Sequence, residues 1–123
     1  MKIIKVFVTL GSLNFDRVVK FYDRLFEISP HIQIPHQYAE FDLPGLRLGI
    51  FHPKAADSPE FSQSARSGMS LCVEVENLEA SIDRLSELGY PPPGEISIAS
   101  HGREIYAYDP DGNRLILHEE MRR

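Results

Sequence analysis

A pattern written twice, about 67 residues apart, limits the folds open to this chain more than any other feature. Its clearer copy is Tyr106 to Glu120, YAYDPDGNRLILHEE, centred on Asp109-Pro110-Asp111-Gly112-Asn113. Pro110 fixes φ, Gly112 and Asn113 tolerate positive φ, and the Asp side chains can bond nearby amides, so the segment reads as a hairpin between alternating strands. The fainter copy is Phe41 to Phe51, FDLPGLRLGIF, in which Phe41 matches Tyr108, Asp42 matches Asp109, Gly45 matches Gly112, Arg47 matches Arg114 and Leu48 matches Leu115. A second correspondence, at an offset of 63, sets Val8 on Leu71, Leu10 on Val73, Asn14 on Asn77, Phe15 on Leu78, Asp16 on Glu79, Val19 on Ile82, Tyr22 on Leu85 and Leu25 on Leu88. The same elements recur in the same order, which predicts two similar halves.

The elements follow from periodicity. Lys2 to Leu10 alternates, with Ile4, Val6, Val8 and Leu10 on one face and Lys5, Phe7 and Thr9 on the other, so a first strand is expected there. Asn14 offers a helix N-cap and Asp16 a favourable first-turn charge. Phe15, Val18, Val19, Tyr22, Leu25 and Phe26 then recur at helical spacing and form one apolar stripe. After a short extended piece, His31 to Ile34, the strands Gln37 to Leu43 and Leu46 to His52 are joined by a Pro44-Gly45 turn. In the second half Ser70 to Val75 is a strand, Asn77 caps a helix over Leu78 to Leu88, and Gly89 ends it. Glu95 to Ala99, Gly102 to Tyr108 and Asn113 to Glu119 supply three more strands after the rigid break Pro91-Pro92-Pro93-Gly94.

The expected class is therefore α+β: two tandem β-α-β-β-β modules whose curved mixed sheets form a cleft. The boundaries are a single domain over 1–123, with module one at 1–53, a linker at 54–68 and module two at 69–123. That linker is rich in Ser, Ala, Pro and charge and lacks periodicity; it reads as a crossing between halves, with Phe61 available to cover a cleft.

Charge and composition narrow the partners. A net charge of −5 and a pI near 5.5, with no Lys/Arg run beyond Arg122-Arg123, leave no electrostatic footprint for nucleic acid or an anionic membrane. No apolar stretch approaches the roughly 20 residues that span a bilayer, and Lys5 interrupts the apolar start, which lacks a small-residue cleavage site. One cysteine, Cys72, cannot form an intrachain disulfide, so a cytoplasmic protein is the expectation.

The tandem modules, the Asn14 to Leu25 stretch with Phe21-Tyr22, and the Asp109 to Asn113 hairpin together resemble the vicinal oxygen chelate superfamily, across essentially the whole chain. That superfamily includes glyoxalase I, extradiol dioxygenases, fosfomycin resistance enzymes and bleomycin resistance proteins. The resemblance implies a central divalent metal held by His, Glu or Gln from the first and last strands of each module. Carried over by position, the metal sites fall on Phe7, Gly49, Ser70 and Ile116. None offers the imidazole nitrogen or carboxylate oxygen that such an ion prefers, and neighbours Val6, Val8, Leu48, Ile50, Leu71, Leu115 and Leu117 are all aliphatic. The expectation is no metal and no cofactor, as in the bleomycin resistance proteins, which sequester a ligand unchanged.

By strand parity the cleft-facing set is Lys5, Phe7, Thr9, Arg47, Phe51, Ser70, Cys72, Glu74, Arg114, Ile116 and His118, joined by Glu104, Tyr106 and Tyr108. An apolar floor with a few polar groups suits a small organic ligand. Of these, Phe7, Thr9, Arg47, Phe51, Ser70, Cys72, Tyr106, Arg114, Ile116 and His118 are the candidate ligand-binding residues. Arg47 and Arg114 as a pair can grip a carboxylate or phosphate; each beside its turn can instead pair with Asp42 or Asp109. His118 reads as a base or, more simply, a rim residue, and Tyr106 resembles the substrate-contacting tyrosine of fosfomycin resistance enzymes. Cys72 has nothing basic beside it in sequence and reads as a buried, inert thiol. The competing expectation is a glyoxalase- or dioxygenase-like metalloenzyme with displaced ligands from His36, His52, Glu104 and His118. Exposed strand edges favour a homodimer.

Overall fold

The register of the strands carries the repeat into three dimensions. The computed structural model describes residues 1–121, and the chain divides into two compact units, Met1–Gln63 and a second beginning at Ser64. The first contains β1 (Val8–Gly11), α1 (Phe15–Phe26), β2 (Ile32–Ile34), β3 (Tyr38–Leu43) and β4 (Leu46–Phe51), in the sheet order β1-β4-β3-β2. The second contains β5 (Ser70–Glu74), α2 (Leu78–Glu87), β6 (Ser97–Ala99), β7 (Gly102–Tyr108) and β8 (Arg114–Glu120), in the equivalent order β5-β8-β7-β6. In each unit the first strand runs parallel to the last and the other pairings are antiparallel.

One face of each sheet packs on its helix. Helix α1 buries Phe15, Val18, Phe21 and Tyr22 over a sheet face that includes Phe41, Leu48 and Ile50; α2 buries Leu78 and Leu85, and Leu115 and Leu117 are buried on β8. Each fully buried large apolar side chain contributes about 1.5–3 kcal/mol, so these stripes hold the helices in place. Asn77 caps α2 as expected, its side chain accepting from the Ala80 amide at 3.0 Å, and Gly89 closes the helix with φ +93. Asn14 makes no such side-chain bond to α1; its own amide donates to Ser12 Oγ at 3.0 Å instead.

The structure corrects the sequence reading in three places. Residues 2–7 alternate but lie outside β1, which begins at Val8. Val8 sits opposite Leu48, and β4 itself starts only two residues earlier at Leu46, so its partner runs out upstream. The 54–68 segment is not featureless: it winds into 3₁₀ turns at Ala55–Phe61 and Ser64–Arg66.

The third correction concerns the two hairpins. Leu48 pairs with Phe41 and its counterpart Leu115 pairs with Ala107, so Phe41 corresponds to Ala107 and Asp42 to Tyr108, one residue away from the sequence match. Loop length is the cause. The first hairpin turns on Pro44-Gly45, whereas the second is longer, with the Asp109 amide donating to Asn113 O at 3.0 Å. Asp109 Oδ1 accepts from the Asp111 and Asn113 amides and Oδ2 from the Asn113 side chain, which holds the longer loop shut. Gly45 and Gly112 still coincide, at φ +83 and +86, because each leads into the last strand of its unit.

Candidate functional site

The sheet face opposite each helix is open, and the register sorts its side chains into three rows. In the second unit the first row is Ser70, Arg114 and Tyr108, the second Cys72, Ile116 and Tyr106, and the third Glu74, His118 and Glu104. In the first unit the matching rows are Arg47 with Asp42, then Thr9, Gly49 and Glu40, then Gly11, Phe51 and Tyr38. The parity expected from sequence thus places every candidate except Phe7 on an open face; Phe7 precedes β1, is 40% exposed and lies under the Lys5 ammonium at 5.4 Å.

The two arginines are held differently. Arg47 has Glu40 Oε2 at 3.9 Å and Asp42 Oδ1 at 4.0 Å, so its charge faces two carboxylates. Arg114 donates from Nε to Ser70 Oγ at 2.7 Å and from Nη2 to the Ser67 carbonyl at 3.3 Å, both neutral acceptors. Among the described residues it has no carboxylate within ion-pair distance, Asp109 included.

Glu40 is the feature that strand parity alone did not single out. It is 6% exposed, with Oε1 accepting from the Tyr38 hydroxyl at 2.7 Å and Oε2 lying 2.8 Å from His31 Nε2. Gly49 makes the arrangement possible: a Cβ there would lie 2.7 Å from the Tyr38 hydroxyl oxygen. The hydrogen bond from Tyr38 is the main cause holding the Glu40 carboxyl below its usual range, with His31 and Arg47 adding to it. Burial, reinforced by Glu40, pushes the Tyr38 phenol up to about 12. At the end of the same face Phe61 packs edge-on against Phe51 at 5.2 Å and fills the space that the missing Gly11 side chain leaves.

His118 is buried, at 7% exposed, and is not a rim residue. Its Nδ1 lies 2.7 Å from Glu74 Oε2, the His101 ring stacks on it at 5.0 Å and 17°, and its Nε2 has no hydrogen-bond partner among the described residues. The bond to Glu74, followed by the charges of Glu74, Glu104 and Glu120, raises its pKa. Cys72 is exposed rather than buried, because it lies on the open face of the edge strand β5. Its thiol is pushed up by partial burial and then by Glu74 and Glu104, so it stays protonated at neutral pH. Tyr106 is 49% exposed and borders a cavity of about 280 Å³, which Glu104, Ile105, Ser97, Glu95 and Gly94 also line.

These residues do not fit a divalent metal at the positions that the family resemblance implies. Gly49 offers no donor, and the Tyr38 hydroxyl occupies the room a ligating side chain would need. Ile116 is aliphatic, and the Ser70 oxygen already accepts from a guanidinium, an unfavourable neighbour for a cation. Of the displaced candidates, His36 is tied to Asp16 at 2.8 Å and His118 to Glu74. Among the described residues no group of three or more His, Cys, Asp or Glu side chains is placed to hold a metal ion. No helix among them is long and apolar enough to cross a membrane.

Comparison with known proteins agrees with this architecture. The profile of the Glyoxalase/Bleomycin resistance protein/Dioxygenase superfamily matches residues 7–117. The chain is 29% identical over 113 residues to metallothiol transferase FosB of Shouchella clausii (strain KSM-K16), which spans 90% of this chain and 76% of that one. Among solved structures, a glyoxalase-related enzyme from Fulvimarina pelagi superposes with a TM-score of 0.77 at 21% identity, over 96% of this chain and 89% of its own. A bleomycin-binding protein complexed with bleomycin superposes with a TM-score of 0.68 at 19% identity, over 97% of this chain and 100% of its own.

Proposed function

Because this chain belongs to the glyoxalase/bleomycin resistance protein/dioxygenase superfamily, we propose that it is a metal-independent binding protein for a small, partly apolar organic molecule. The observation that carries this reading is the second row of the second unit's open face. There an exposed thiol, an isoleucine and a half-exposed tyrosine lie side by side between two polar rows. An aromatic and aliphatic floor edged by polar groups is how small-molecule sites combine affinity with orientation. Tyr106, Ile116 and Cys72 make the floor of the proposed site, and Ser70 and Arg114 its polar edge. His118 acts only through Glu74, since its free nitrogen is shielded.

The metallothiol transferase relative marks the rival reading, a metal-dependent enzyme. We favour binding without turnover because the four positions that a superfamily metal would use carry no donor set. The protein is proposed to work as a cytoplasmic homodimer, to which the exposed apolar side chains Ile3, Ile4 and Val6 ahead of β1 lend support. Light scattering on the purified chain would read that mass directly.

The test of the binding reading is titration with N-phenyl-1-naphthylamine, a neutral aromatic probe whose fluorescence rises on burial. Saturable binding that is unchanged by EDTA is expected, and Tyr106→Ala should weaken it about tenfold, equivalent to about 1.4 kcal/mol. Binding or turnover that EDTA abolishes and a divalent ion restores would establish the metalloenzyme instead.

A further inference from the structure

The two pseudo-equivalent arginines differ in what neutralises them, and that difference names the ligand's charge and its direction. Arg47 sits among Glu40 and Asp42, at 3.9 and 4.0 Å. An incoming anion there would meet two negative charges. Arg114 is held by the Ser70 hydroxyl and the Ser67 carbonyl, which orient the guanidinium without cancelling its charge. Its Nη1 makes no hydrogen bond to any described residue, and Ser70 accepts from Arg114 through oxygen, so the serine proton is available to donate. A carboxylate, sulfonate or phosphate can therefore take one charge-assisted bond from Nη1 and one from Ser70.

The opposite end of the same face has the opposite sign. Two rows along the strand, roughly 13 Å from Arg114 at about 3.3 Å per residue, Glu74 and Glu104 flank His118. Glu104 has no hydrogen bond or ion pair with any described residue. Between the two ends lies the uncharged row of Cys72, Ile116 and Tyr106. A negative head group is attracted at one end of this strip and repelled at the other, while an apolar body is accommodated between them.

Resting on the small-molecule reading above, we propose that the ligand is an amphiphilic organic anion whose negative group is bound by Arg114 and Ser70, with its apolar body over Cys72, Ile116 and Tyr106. Arg47 takes no part in holding the charge. Arg114 is then the residue that selects for charge, and the second unit carries the head-group site.

The test compares 1-anilinonaphthalene-8-sulfonate with N-phenyl-1-naphthylamine, which differ by one sulfonate. Wild-type protein should bind the sulfonate about tenfold more tightly than the neutral probe at low salt, a preference that shrinks as salt rises because the charges are exposed. Arg114→Gln should remove that preference by weakening the sulfonate more than the neutral probe, and Ser70→Ala should remove part of it. Arg47→Gln should leave the preference intact. An equal loss in Arg47→Gln, or a preference that survives Arg114→Gln, overturns the assignment and leaves the binding reading standing. Failure of both probes to bind wild type overturns both. If Arg114→Gln does not fold, the salt dependence of the wild-type preference and the effect of Ser70→Ala still decide: a preference insensitive to both contradicts the proposal.

Discussion

In the first unit the middle row of the open face holds a buried carboxylate and the row beyond it is aromatic, Phe51 beside Tyr38; in the second unit the middle row is apolar and the row beyond it is charged. The sheets have the same order and the same register, so topology does not explain the reversal. Residue volume does. Gly49 leaves a gap that Tyr38 reaches across to grip Glu40, whereas its counterpart Ile116 fills that gap with its own side chain. Gly49 thus leaves room for the Tyr38–Glu40 pair, at a position where the second unit carries an apolar row. The lesson is that in a duplicated fold helix-facing positions stay alike, since each must fill a core, while open-face positions are free to diverge in chemistry.

The reciprocal swap breaks this comparison most severely. Gly49→Ile should cost about 3–5 kcal/mol, because the added atoms overpack the row and displace the Tyr38 hydroxyl from a buried acceptor. Ile116→Gly should cost less, about 1–2 kcal/mol, since Ile116 is only half-buried. Urea unfolding reads both; equal costs would mean that the Gly49 gap carries no structural demand. Tyr38→Phe is the next step down. It removes one hydrogen bond and should cost about 1 kcal/mol, and the carboxyl pKa of Glu40, followed by NMR, should move upward.

The pH responses of the two polar clusters should have opposite signs. Glu40 has a folded pKa below its unfolded value, so its contribution is complete above the ordinary carboxylate range and is lost as pH falls through the folded value. His118 has a raised folded pKa, so its contribution is complete below the ordinary imidazole value and is lost as pH rises through the folded one. Glu40→Gln should therefore flatten the acid limb of the stability profile and Glu74→Gln the neutral limb, the latter together with a lower His118 pKa by NMR. The smallest effect expected is at Cys72: its raised pKa predicts slow alkylation at neutral pH despite its exposure, accelerating in Glu74→Gln.

What could be read from sequence follows the same divide. Both helices, the order of elements along each half and the Asp109 hairpin rest on local signals, namely periodicity, caps and turn residues, and the structure contains them. The open-face parity of Arg114, Ile116 and Tyr106 needed only the period of a strand. The hairpin correspondence slipped by one residue because matching letters, Asp42 with Asp109, outweighed a difference in loop length that no letter records. The Tyr38–Glu40–His31 cluster was illegible because it depends on which residue sits opposite Gly49, a cross-strand fact. His118 looked peripheral near its strand end, yet the stacked His101 ring helps bury it, and a ring contributed by the β6–β7 turn leaves no trace in the sequence around position 118. Phe7, Gly49, Ser70 and Ile116 could be recognised as poor metal donors only after the superfamily resemblance had assigned a metal to those positions, a role that no letter of this chain states by itself.

Native mass spectrometry of the protein purified without chelator tests the central claim most directly. The expected result is a protein mass carrying no divalent ion, with or without an organic adduct, and unchanged in adduct occupancy after EDTA. A stoichiometric divalent ion that EDTA removes, taking an organic adduct or an activity with it, would contradict metal-independent binding and make the chain a metalloenzyme with a donor set of its own.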